Sequence, residues 1–115
     1  MIDAALMAAI LDSLKDPLLV ADTEHVTQYM NKAAVAHYEE GEALVGRSLL
    51  DCHNEESQQM MFDILAAMQK EGLTEQLITD NEKWRIYMRA VRDAEGRVLG
   101  YYERYAPPRP MTGSK

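Results

Sequence analysis

The stretch KWRIYMRAVRDAEGRVLGYYERYA, residues 83–106, decides how the rest of the chain is read. Trp84, Ile86, Met88 and Ala90 fall at every second position, with Arg85, Tyr87 and Arg89 between them. That period places the first set on one face of a strand, Lys83 to Arg92, and the second set on the other. Asp93 to Gly96 supplies turn residues, and a second strand is expected over Arg97 to Ala106. A hairpin with one apolar face is not stable in water by itself, so other elements must cover it.

The cover lies upstream. From about Glu55 to Lys70, Met61, Ile64, Leu65 and Met68 recur at helical spacing, with Asn54 or Asp51 able to cap the start and Gly72 to end it. Leu73 to Thr79 reads as a strand joined to the hairpin through Asp80 and Asn81. Earlier still, Leu18 to Ala21 and Val26 to Met30 read as two strands around a tight turn. Val26, Gln28 and Met30 are expected on one face, Thr27 and Tyr29 on the other, and His25 solvated in the turn. Asn31 is placed to cap a short helix starting at Lys32. At the front, Leu6, Ile10 and Leu14 lie four apart on a helix that carries Lys15 in its last turn and stops before Pro17. The chain therefore divides into an amphipathic helix over 1–15, a domain over 16–106 and a flexible tail over 107–115. The order of elements implies an α+β fold, a five-stranded antiparallel sheet with its helices packed on one face.

With 115 residues, 47% hydrophobic and 27% charged, the chain has room for one core. Its net charge of −7 repels phosphate backbones and anionic lipid surfaces, so neither nucleic acid nor membrane is an expected partner. The apolar start, Met1 to Leu14, contains Asp3 and Asp12, lacks a basic lead and is too short for a membrane span. One cysteine and eight methionines suit a reducing compartment, and the cytoplasm is expected. Three histidines and Cys52 lack the paired spacing of a zinc site, and no phosphate-binding glycine loop is present, so no metal centre is expected. Adjacent Cys52 and His53 do not form a nucleophile and base pair, and no catalytic role is assigned. A helix N-terminus just beyond Cys52 would lower its pKa and favour a redox-reactive thiol.

Four local motifs carry a family resemblance: Asp16 to Asp22, Asn31 to Ala34, Leu44 to Leu49 with Gly46, Arg47 and Ser48 at its centre, and Val91 to Gly100. In this order and spacing they make the chain similar to the PAS family of sensor domains over about Leu11 to Tyr105. The segment Leu50 to Ser57 resembles a bacterial PAS subgroup of unknown ligand. The resemblance implies a sensor in signal transduction, with a pocket between the helices and the inner sheet face. Tyr29, Met30, Val35, Tyr38, Leu49, Met61, Leu65, Trp84, Ile86 and Met88 are its candidate lining, and the same residues serve equally as plain core.

The cofactor is left open by the resemblance. Haem requires an axial imidazole, for which His37 and His53 are the candidates. Flavin photochemistry requires a cysteine three residues after the signature glycine, where Leu49 stands. The resemblance also implies that Leu6, Ile10 and Leu14 pack against the sheet and a twin helix in a homodimer. Signalling would then pass by association with a second protein. A ligand-free interaction module is the alternative. Glu39, Glu40 and Glu42 are expected to form a solvated corner, and Arg85, Arg89, Arg92, Arg97 and Arg104 to alternate with acids across the outer sheet face.

Overall fold

Asp3 opens the first helix, its carboxylate accepting a hydrogen bond from the Leu6 amide at 2.9 Å. The computed structural model describes residues 2–110, and only the backbone of Cys52. Helix α1 runs Ala4–Ser13 and ends at an extended Leu14, short of Lys15, which therefore lies outside the last turn. The remaining elements are β1 (Leu18–Asp22), β2 (Thr27–Met30), α2 (Lys32–His37), two 3-10 turns (Gly41–Leu44 and Leu49–Cys52), α3 (Glu55–Glu71), β3 (Glu75–Asp80), β4 (Arg85–Arg92) and β5 (Val98–Ala106). Asn54 caps α3 through the Ser57 amide at 2.8 Å, and Gly72 ends it in the left-handed region at φ +75°.

The strands form one antiparallel sheet in the order β2-β1-β5-β4-β3. On the inner face Leu19 pairs with Met30 and Glu103, Glu103 with Met88, and Ala21 with Thr27 and Tyr101. Met61, Ile64, Leu65 and Met68 of α3 and Ala34 of α2 complete the core with Leu19, Ala21, Met88 and Tyr101. The alternation expected in β2 is broken by a bulge. Val20 pairs with Tyr29 but Ala21 pairs with Thr27, so Gln28 is the extra residue and both Thr27 and Met30 are buried.

Of the expected tail, 107–115, the last five positions lie outside the described residues. Its start runs along the sheet: Arg85 Nε donates to the Pro107 carbonyl at 2.9 Å, and Arg109 pairs with Asp80 at 3.3 Å.

One side chain joins the first half. Asn31 is fully buried, and its Oδ1 accepts from the Leu18 amide (3.0 Å) and the Ala34 amide (2.9 Å). Its Nδ2 donates to the carbonyls of Leu11 (3.0 Å) and Asp16 (3.1 Å), which fills the capacity of the amide. At the other end of β1, a Cβ on Gly100 would stand 2.2 Å from the Ala21 carbonyl oxygen, so the strands can meet there only at a glycine. Asn31→Ala orphans four backbone groups and is expected to cost about 3–5 kcal/mol in urea denaturation. Gly100→Ala is expected to destabilise by about 2–4 kcal/mol in the same assay, because the obstacle is backbone. Native-like midpoints for either variant would contradict these assignments.

Candidate functional site

The inner face of the sheet, closed by α2 and α3, is where the structure gathers most of the predicted lining. Met30, Leu49, Met61, Leu65 and Met88 are buried there, with Val35 and Tyr38 packed against them. Ile86 is half-buried and pairs with Tyr105. Trp84 precedes β4 and stacks edge-on against Tyr105 and His37 at 5.2 and 5.8 Å. The space between sheet and α3 is occupied by Leu19, Met61, Met68, Met88 and Tyr101, each almost wholly buried.

Tyr29 does not belong to this lining. It sits opposite Val20 on the outer face, and its hydroxyl donates to Asp12 Oδ1 at 2.6 Å and to the Ala8 carbonyl at 3.2 Å, tying β2 to α1. The Asp12 carboxylate raises the Tyr29 pKa. On the same outer face Leu14, Pro17, Leu18, Tyr102 and Arg104 border a concavity of about 380 Å³.

The histidines have three different surroundings. His25 is a correction: it is 4% exposed rather than solvated, at φ +65°. Asp22 accepts from the amides of Glu24 and Val26, closing the turn so that the imidazole folds inward. Its Nδ1 and the Tyr101 hydroxyl share a hydrogen bond of 2.7 Å, and its ring meets Phe62 edge-on. Burial pushes its pKa down, against a smaller opposing effect of Asp22. His37 ends α2, is exposed, and lies against Tyr38, Trp84 and Tyr105. His53 caps the second 3-10 turn, half-buried, with its pKa also lowered by burial. A haem slotted between sheet and α3 does not fit this interior without displacing the side chains that fill it. The redox expectation for Cys52 concerns a side chain outside the described residues.

The arginines also divide. Arg89 and Arg104 share Glu75 at 3.8 and 3.0 Å, with the Arg104 guanidinium over the Tyr87 ring at 4.2 Å, as an outer face should. Arg92 instead donates to the carbonyls of Met68 and Leu73 at 2.9 and 3.0 Å, holding the end of α3 against the sheet. Arg85 likewise serves a carbonyl rather than an acid.

Glu103 is the residue sequence reasoning passed over. It stands on the inner face between Leu19 and Met88, 7% exposed, and burial raises its pKa to about 7. The alternation Tyr101, Glu103, Tyr105 was the available signal, since it puts a carboxyl among the core residues of the central strand. Among the described residues Thr27 Oγ1 is buried without a partner, on the same face. An acid with a raised folded-state pKa binds its proton more tightly in the folded than in the unfolded chain. Stability is therefore lost as pH rises from near 4.5 to about 7 and is level above that. Glu103→Gln removes this term. Its stabilisation relative to the parent is expected to be small at pH 4.5 and about 2–3 kcal/mol at pH 8. A difference that does not vary with pH in denaturation series would contradict a buried, titrating Glu103.

The chain matches the family model described as the PAS fold over residues 11–108. No curated relative matches the chain by sequence. Among solved structures it is similar to a C-terminal domain from Streptococcus mutans, with TM-score 0.77 and 16% identity over 99% of this chain and 91% of that one. It is also similar to the PAS domain of Bordetella pertussis BvgS, with TM-score 0.65 and 14% identity over 96% and 89% of the two chains. A third similar structure is the Aer2 receptor from Vibrio cholerae, described as a dual PAS-heme oxygen sensor, with TM-score 0.55 and 18% identity over 80% and 93%. At these identities the structures speak for the fold alone, whereas the family match spans most of the sequence: the chain belongs to the PAS family of sensory domains.

Proposed function

We propose that this chain is a non-catalytic sensory module that takes a small ligand on the inner face of its sheet and signals by association through α1, first with a second copy of itself. The observation that carries the reading is the state of α1. None of its residues is buried: Leu6 and Ile10 remain 47% and 48% exposed, and Leu14, expected on the helix but extended just beyond its end, 43%. The helix is held to the body by polar bonds from Tyr29 and Asn31, which leaves its apolar stripe available to a partner surface. A twin helix is the simplest complement, because a two-fold axis matches each stripe with its own copy.

The ligand half of the proposal draws on the family and on two polar residues that face the core, Glu103, 7% exposed, and Thr27, whose Oγ1 is buried without a partner among the described residues. The packed interior favours a ligand smaller than haem. A cytoplasmic location accords with the composition, and among the described residues no helix is long and apolar enough to cross a membrane.

Light scattering of the purified chain is expected to give a dimer at micromolar concentration. Leu6→Lys with Ile10→Lys is expected to give a folded monomer, weakened at least tenfold in self-association, since each lysine places a charge on the stripe. A monomeric parent, or a dimer indifferent to both substitutions, would remove α1 as the signalling surface. The visible spectrum of freshly purified protein separates the ligand readings. No Soret band is expected, and a Soret band lost in His37→Ala or His53→Ala would establish haem instead.

A further inference from the structure

Glu103 lies in the middle of the inner face, 7% exposed as a residue with the remaining exposure at its carboxylate, and among the described residues no hydrogen bond or ion pair reaches that carboxylate. Buried carboxylates ordinarily receive donors, because the bare ion is costly away from water. The tyrosines on either side along β5 are committed elsewhere. Tyr101 is bonded to His25, and Tyr105 to Tyr38.

Two residues along the strand from Glu103, roughly 7 Å at strand spacing, the same face ends in a group of rings. His37, Tyr38, Trp84 and Tyr105 meet there with centroids 5.0 to 6.3 Å apart and planes at 72° to 87°. In edge-to-face pairs one ring presents its face and the other its edge, and aromatic faces attract cations. His37 is exposed and Trp84 half-buried, so the group stands between solvent and Glu103's side of the core.

From this arrangement we propose that the interior between Glu103 and the His37, Tyr38, Trp84 and Tyr105 rings receives a small organic cation, an amine in its ammonium form. The ammonium group donates to the Glu103 carboxylate while its carbon frame lies against the rings. The inference rests on the ligand-binding reading above and narrows the ligand by charge. An inorganic ion is the poorer match. Among the described residues no group of three or more His, Cys, Asp or Glu side chains is assembled to hold one, and Glu103 offers a lone carboxylate. The net charge of −7 also enriches cations around the molecule.

Benzylammonium and benzyl alcohol share a ring and differ in charge, which isolates the contribution of the carboxylate. In amide and indole NMR titrations of the full chain at pH 7.5, benzylammonium is expected to shift Trp84 and the β5 amides. It should bind at least tenfold more tightly than benzyl alcohol. Glu103→Gln, which keeps the shape and removes the charge, is expected to abolish that preference while leaving the fold intact by circular dichroism. Trp84→Leu is expected to weaken benzylammonium severalfold without removing the preference for charge. Equal binding of the two compounds, unaltered by Glu103→Gln, would overturn the cation site and leave the ligand-binding reading standing. Response to neither compound would overturn both.

Discussion

The amide of Asn31 is the constraint on which the architecture turns. Four backbone groups from four parts of the chain converge on it: the end of α1, the linker before Pro17, the first residue of β1 and the first turn of α2. No other residue type supplies two acceptor and two donor directions from so short a side chain. Because the group is wholly enclosed, water cannot replace any of these bonds, and the segments must meet there or leave polar groups bare. α1 is thereby tied to the sheet by directional bonds rather than by its apolar side chains. That is why its stripe can remain uncovered while the helix keeps its place.

The same residue links the two faces of the molecule. α2 begins at Asn31 and ends at His37 and Tyr38, which stand among the rings over the inner face, while α1 is held by Asn31 from the outer side. On the reading proposed above, a ligand that displaced α2 would act on a saturated hydrogen-bond centre, which gives it a short route to the surface proposed for association, through one side chain and a six-residue helix.

What could be read from the chain was what has a period or a cap. The hairpin of β4 and β5, the spacing of Met61, Ile64, Leu65 and Met68, the capping asparagines and Gly72 are local signals, and local physics decided them. What escaped depends on partners distant in sequence. His25 looked solvated because turns usually are, and its burial comes from Tyr101, which lies 76 positions away. The bulge at Gln28 is invisible in an alternating string, yet it brings Thr27 round to the buried face of Met30, while Tyr29, opposite Met30 as alternation requires, meets α1 instead of the core. Glu103 was legible by parity, but an acid on an inner face contradicts the expected pattern and is easily assigned to the surface with its arginine neighbours.

That contradiction carries an energetic consequence. A carboxyl among Leu19, Met88 and two tyrosines lowers stability relative to an apolar residue of like size, and such conflicts between position and chemistry concentrate at functional sites. Edge-to-face ring pairs contribute about 0.5–1.5 kcal/mol each, so parting the rings above Glu103 costs on the order of a few kcal/mol. A hydrogen bond to a charged group returns about 1.5–3 kcal/mol, and a desolvated cation against an aromatic face about 2 kcal/mol. Against these gains also stand the desolvation of the ammonium and its lost translational freedom, so on the reading proposed above occupancy would follow ligand concentration, whereas a core filled only with leucine would give a cation no partner.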